Sequence, residues 1–292
     1  MRPEAGIWLA GLLLGGCTAR VHQFHNFAEA GQAYADAMAR LTIEAGEAAI
    51  DADSLALERA RDALTPKERG QILLEHNRLL KERLALLADL RRHTLLLRAY
   101  FEALAALAGS GAPAGIGAAS EDIIQALGET GARIQRAKVG EQPVGAFIGK
   151  AAALSVGHFR NAALEQELRA RAPVLERELE LQEAALEAIT AQMRTDLQAA
   201  LNMRATLEVF RPYRADAPLP EDWAERRKAF LTASASLASA EAARGAAGRL
   251  RQSFVALVEN RFGPSDTQAL LADIDAMLTW IEAIRGDKET PP

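Results

Sequence analysis

The feature that most constrains this chain is an apolar pattern returning after three and then four residues over stretches longer than an ordinary helix. Phe24, Phe27, Gly31, Tyr34, Met38, Leu41, Ala45, Ala48, Ala52 and Leu55 form one such seam. Ile72, Leu79, Leu86, Leu90, Leu97, Tyr100, Leu104 and Leu107 form a second, interrupted by His76, Arg83 and His93. A third runs from Leu175 through Leu186, Ile189 and Met193 to Phe210. Steps of three and four keep side chains on one face of an α-helix, so each seam predicts a long helix with a buried stripe. A helix of ~40 residues is ~60 Å long. The first two are therefore expected to fold back on each other as an antiparallel hairpin with its break near Leu64. Leu73, Leu80, Leu84 and Leu87 widen the second face, which predicts more than one neighbour.

Local signals place the breaks. Thr65-Pro66-Lys67-Glu68 reads as a helix start, with Thr65 as cap, Pro66 in the first turn and Glu68 closing a capping box. Gly109 to Ser120 (GSGAPAGIGAAS) predicts a flexible loop, followed by a helix over 121–138. Pro173 predicts an interruption or a new start, and Pro212, Pro218 and Pro220 predict a loop over 211–222. A helix over about 221–260 follows, stopped by Gly263-Pro264, and Ser265 to Gln268 caps a last one carrying Leu270, Ile274, Met277, Ile281 and Ile284. The expected organisation is a hairpin over 24–108, the loop over 109–120, a helical bundle over 121–286 packed with the hairpin, and a tail over 287–292. No repeat of fixed period is present. The fold class predicted is all-α: an elongated antiparallel helical bundle with long coiled-coil-like helices.

Composition agrees. Aromatics are 5% of the chain, and runs of β-branched residues at period two are missing. The formal charge of −5 comes from interleaved acids and bases, which argues against a nucleic-acid surface and reads as solvated helix faces.

Catalytic and metal-binding patterns are absent. The residues three before His76, His93 and His158 are Leu73, Leu90 and Ser155, so no Glu-x-x-His pair is formed, and there is no HExxH. His22 and His25 read as exposed polar residues, and His76 and His93, on the apolar seam, as histidines held by a hydrogen-bond partner. No nucleophile elbow or phosphate-binding loop occurs. The chain is therefore read as a non-enzyme, with no metal and no cofactor.

One stretch is compositionally unusual. Gly145, Gly149, Ala153 and Gly157 recur every four residues among Val144, Phe147, Ile148, Leu154 and Val156. If helical, they form a flat stripe for close packing, with the small residues of 234–248 as a facing surface. Insertion into a membrane is disfavoured: fourteen residues of helix reach ~21 Å against a bilayer core of ~30 Å, and Lys150 lies in the middle.

The N-terminus carries the clearest address. After Arg2, an uncharged run from Ile7 to Leu14 leads into Leu14-Gly15-Gly16-Cys17. The run is too short to span a bilayer but suits a signal peptide. Its end resembles the lipobox of bacterial lipoproteins, although Glu4 departs from the usual leader. The resemblance implies cleavage of residues 1–16, a covalent lipid on Cys17 and a tether over 17–23. Thr18, where Asp commonly retains such proteins in the inner membrane, implies the outer membrane, facing the periplasm. The only cysteine is thus assigned to lipid, leaving no disulfide. The function expected is that of an anchored structural or interaction module whose partner is an envelope protein or a second copy. The alternatives are a membrane-active or self-associating protein using the helix over 144–157, and a small-ligand carrier.

Overall fold

In a computed structural model of the chain, the long seams become long helices. The structure describes residues 15–110, 116–139, 142–148, 154–159, 161–233 and 240–289. The protein is all-α. Helices α1 (Gly15–Arg61) and α2 (Pro66–Ser110) form the expected hairpin, and α3 (Ile116–Arg136) packs against α2. α4 (Ala162–Arg204) continues through a π-helical turn (Ala205–Phe210) into the short α5 (Arg211–Arg214). α6 (Trp223–Ala233), α7 (Ala240–Val258) and α8 (Pro264–Glu289) complete the order.

α1 is the centre of the bundle, packed by α2, α4, α7 and α8. Every residue of its seam from Phe24 to Ala52 is buried. Its alanines allow this crowding, because a helix with neighbours on most sides accommodates them only with short side chains. Gly31 sits so close to the Phe101 ring that a Cβ there would overlap it. Phe27, Phe101, Phe254 and Phe262 pack edge-on or tilted at 4.9–6.2 Å between centroids, joining α1, α2 and α7 at one end. Trp280 on α8 is also fully buried.

The turn between α1 and α2 follows its sequence signal. The Thr65 N–H donates to the Glu68 carboxylate at 2.8 Å, and the Glu68 N–H reaches Thr65 Oγ1 at 3.5 Å. Asn161 caps α4 by accepting from the Ala163 and Leu164 N–H groups. α7 ends on Asn260 in the left-handed region, at φ 61°, where asparagine is tolerated.

Several boundaries differ from the sequence reading. In place of a tether, residues 18–23 are already helical; no Gly or Pro breaks the chain after Cys17, and Val21 and His25 lie against Gly109 of α2. The expected loop over 109–120 shrinks, since α2 runs to Ser110 and α3 starts at Ile116. Pro173 lies inside α4 without breaking it. A helix-interior proline costs ~3 kcal/mol, and burial of Leu168, Ala172, Leu175 and Leu179 around it offsets that. The helix over 221–260 is described as α6 and α7, with 234–239 outside the described residues. α8 starts one residue early: Pro264 takes its first position, and Asp266 reaches back to the Gly263 N–H at 2.8 Å. Its helical geometry runs to Glu289, into the expected tail. The helix expected to end at Lys138 stops at Arg136, and a two-residue antiparallel pairing follows, Lys138–Val139 with Gln142–Pro143.

Candidate functional site

α4 runs parallel to α1 and antiparallel to α2. The sequence of contacts fixes this: Asn161 reaches the Leu107 carbonyl, Tyr100 donates to Glu167, Glu178 pairs with His93, Arg83 with Asp196, and Arg204 with Asp51. α7 returns along α4, with Arg244 on Glu187 and Arg251 on Glu183. The molecule thus contains two long hairpins, α1/α2 and α4–α5/α6–α7, turning at the same end. The shorter α3 and α8 cover only the other part: α3 meets α2 at Asp89–Arg133, and α8 reaches α1 at Glu44–Arg285. Beyond about Leu86 the seam of α2 loses its cover.

That end, opposite Cys17, carries an exposed apolar surface. Leu79 lies one turn beyond Arg83 on the side of α2 that faces α4, yet it is 50% exposed. The second hairpin offers Phe210, Tyr213, Leu219 and Leu231, all exposed. Aromatic pairs stiffen its turn. Tyr213 stacks on Trp223 at 5.4 Å, Phe210 meets Phe230 edge-on, and Trp223 Nε1 donates to the Val209 carbonyl at 3.0 Å. The π turn falls immediately before Pro212, whose ring displaces the carbonyl four residues back; Arg211 then bonds five residues back, to Thr206.

The interior holds a polar layer. The imidazole of His93, fully buried, contacts the Glu178 carboxylate at 2.9 Å through Nε2, and Gln182 donates to Thr94 Oγ1 beside it. His93 Nδ1, Gln182 Oε1 and the Tyr34 hydroxyl are buried without a hydrogen-bond partner among the described residues. Burial, with Glu183 adding to it, pushes the Tyr34 hydroxyl far above the ordinary tyrosine value, so it stays protonated. Burial and then Glu167 do the same for Tyr100. Neither phenol is set up to act as a base. Among the described residues, no three His, Cys, Asp or Glu side chains come together as a metal site.

Two surface hollows are open to solvent. One is lined by Phe159, Glu165 and Arg169, the other by Glu176, Arg249, Arg251 and Arg261. Each arginine of the second already engages a carboxylate: Asp273, Glu183 and Glu259 respectively. Burial raises the Glu176 carboxyl above its usual range against the opposing pull of Arg251.

The residues singled out from sequence are dispersed. Cys17 falls in the first turns of α1; its side chain lies outside the described residues. The helix expected over 144–157 is not formed where the chain is described. Val144–Phe147 is a single 3-10 turn, Ile148 is extended, and 154–159 has no helical geometry. Gly149 and Ala153 are outside the described residues. Gly145 packs on the Gln135 backbone, and Gly157 on Glu259 and Asn260, with its N–H on the Val258 carbonyl at 2.9 Å. The glycines serve two separate close approaches, and no common stripe joins them. Nor do they face the small residues of α7, whose Ala246 and Ala247 are buried in a helix packed against α4. Pro143 and the extended backbone around it favour this outcome over a helix. His76 keeps a partner, Asp53 at 2.6 Å, but is half exposed because the hairpin end is uncovered.

The exposed distal surface was missed from sequence. Its signal was a difference in length: α3 and α8 are about half as long as α1 and α2, so toward the turn of the hairpin their cover ends. Comparison of the chain with known protein families, with characterised proteins and with solved structures gives no match. No described helix is long and apolar enough to cross a membrane.

Proposed function

We propose that the protein is a lipid-anchored helical scaffold of the bacterial envelope, held by Cys17 in the outer membrane and presenting its far end to a periplasmic partner. The observation that carries this reading is the exposed apolar surface where the two hairpins turn, at the opposite end of α1 from Cys17. α1 has 47 residues, so the two ends are ~70 Å apart. Large apolar side chains on rigid helical arms are what a partner helix or strand buries on docking. The lipobox-like Leu14-Gly15-Gly16-Cys17 supports the anchor, and two or more acyl chains would hold it stably.

The test is photo-cross-linking in intact envelopes from position 79 or 213 of the full chain, beside a Cys17→Ala form. A discrete adduct from these positions, lost in Cys17→Ala together with membrane fractionation, is the expected result. Fractionation of the wild type as a soluble protein would sink the anchor. Adducts no more specific than those from a distant exposed position such as Arg169 would sink the distal site.

A further inference from the structure

We infer that the hollow between α4 and α7 at Glu176 binds a small organic diammonium ion, a short alkyl diamine, whose charge stands in for a cation that the protein omits. This site lies apart from the distal surface, and the argument uses neither the anchor nor the partner proposed above.

The sequence of α4 sets carboxylates in a row, Glu176, Glu180, Glu183 and Glu187, at steps of four and three that keep them on one side of a helix. α7 runs antiparallel beside it and answers the row from one end. Arg244 pairs with Glu187 at 3.4 Å, and Arg251 donates through Nε to Glu183 at 2.7 Å. These arginines are seven residues apart, so the same spacing puts the next rung at Val258, which is buried. On the same stretch of α7 and its end, Val255 is apolar and Glu259 is an acid held by Arg261. The ladder thus supplies a cation to Glu183 and Glu187 but no matching one to Glu176 and Glu180.

Glu176 shows the consequence. It is only 5% exposed, yet among the described residues no hydrogen-bond donor reaches its carboxylate. The nearest cation is Arg251 Nη1 at 3.9 Å, outside hydrogen-bond range, and that guanidinium is already committed to Glu183. Burial raises the Glu176 carboxyl above its usual range; Arg251 opposes this, and Glu180 and then Glu259 add to it. Glu180, one turn along α4, has no ion pair or hydrogen bond among the described residues. Leaving a buried carboxylate without a donor is costly.

This carboxylate lines a hollow of about 420 Å³ together with Arg251, Gln252, Val255 and Ala256 of α7. The other charged groups of the hollow are engaged: Arg249 with Asp273, Arg251 with Glu183, Arg261 with Glu259, and Asp266 with the Gly263 N–H. Glu176 and Glu180 remain as surplus negative charge. Among the described residues no three His, Cys, Asp or Glu side chains are grouped to hold a metal ion. An ammonium instead brings three N–H donors to a carboxylate that lacks one. Carboxylates four residues apart on a helix start ~5–6 Å from each other at Cβ, a distance that a four-carbon diamine bridges. One ammonium then sits on Glu176 and the other on Glu180, with the methylenes along Val255.

The experiment is isothermal titration calorimetry of the full chain with 1,4-diaminobutane at low salt and neutral pH, each variant first checked by circular dichroism. Saturable one-site binding is expected, weakened about tenfold or more by Glu176→Gln and less by Glu180→Gln. Glu187→Gln makes the same change of charge at a rung that Arg244 fills, and should bind as wild type does. Val255→Arg supplies the missing cation from α7 and should abolish binding while raising Tm. On acidification the affinity should fall and binding should release protons, because an ammonium selects the ionised form of Glu176; the release is read as a buffer-dependent enthalpy that Glu176→Gln removes. Tetramethylammonium, charged but without an N–H, should not compete. No saturable heat at ~10 mM diamine overturns the inference. So do equal losses in Glu187→Gln and Glu176→Gln, unchanged binding in Val255→Arg, or displacement by tetramethylammonium, each of which would reduce the effect to general attraction toward an acidic chain.

Discussion

Two glycines on α3, three residues apart, make a sharp test of the buried polar layer. A Cβ on Gly128 would meet nothing within 4 Å. A Cβ on Gly131 would overlap Glu178 Oε2, lie 3.1 Å from Glu178 Cδ and 3.2 Å from Leu181 Cδ2. Either Gly→Ala change gains about 1 kcal/mol of helix preference, so that term cancels between the two variants. What differs is the carboxylate of Glu178, which cannot move aside without leaving His93, and its side chain is only 8% exposed. Separating a buried charged group from its partner costs ~3–5 kcal/mol. Gly131→Ala is therefore expected to destabilise by ~2–4 kcal/mol net, while Gly128→Ala stabilises by up to ~1 kcal/mol. At ~2–4 °C per kcal/mol the first should lower Tm by roughly 5–15 °C and the second raise it slightly. Thermal and urea unfolding followed at 222 nm measure both. The overlap is also removable: Gly131→Ala made together with Glu178→Ala should cost no more than Glu178→Ala alone. Equal stability of the two glycine variants would refute the reasoning, because Glu178 would then not be pinned between α2 and α3.

Further outcomes are expected at other sites. Asn161→Ala removes the oxygen that accepts two N–H groups at the start of α4 and should cost ~1 kcal/mol, read from the urea midpoint. The Glu165 carboxyl is held down to about 2 by the Phe159 backbone N–H first and by Arg169 second. A depressed carboxyl stabilises the fold above its unfolded value near ~4.3 and loses that contribution as pH falls toward 2. The stability difference between wild type and Glu165→Gln should thus be present at pH 6 and shrink between pH 4.5 and 2; a difference independent of pH would contradict the assignment. Gly31→Ala should destabilise through the Phe101 ring, which cannot shift without disturbing Phe27 and Phe254, and unfolding melts test this directly. Leu79→Asp, at a half-exposed position, should leave Tm within a few degrees while abolishing the partner adduct; a large loss of Tm would mean that Leu79 is a packing residue instead.

The three long helices and the hairpin were legible because their apolar steps persist over so many turns that no other regular structure satisfies them. The break at Thr65 was legible because Thr, Pro and Glu each have a stated place in a helix start. Other positions misled for identifiable reasons. At Pro173 a local rule predicted a break, but burial on both sides of the ring outweighs one missing hydrogen bond. At 144–157 a spacing of four predicted a helix, yet the spacing says only where side chains would fall if the helix existed. Gly145 and Gly157 are small because backbone from two different elements approaches them. The exposure of Ile43 and Ile50 on α1, 47% and 42%, was hidden for a third reason. Apolar residues on α1 occur on nearly every side, and the pattern alone does not reveal which side the bundle leaves open.

Length is what links these observations. α1 and α2 have 47 and 45 residues, but α3 and α8 have 21 and 26, and both lie toward the Cys17 end. A compact design would end all its helices at one level and bury every seam. Here Leu79 lies half exposed on the seam of α2, past the reach of α3 and α8, and the second hairpin extends to the same end with Phe210 and Tyr213 exposed. Folding stability does not require these side chains, because the core from Phe24 to Ala52 and Leu86 to Leu107 closes without them. Their exposure carries a hazard of non-specific association, which Arg78, bridging Glu75 and Glu82 beside Leu74 and Leu79, mitigates by keeping charge next to each leucine. An uncovered seam on rigid arms, guarded by charge, is the arrangement a recognition surface needs and a purely structural helix does not. The proposed anchor and the distal surface can then be tested apart, since truncating the hairpin between residues 58 and 79 removes the α2 part of that surface, leaving Phe210 and Tyr213 of the second hairpin and the covered core in place.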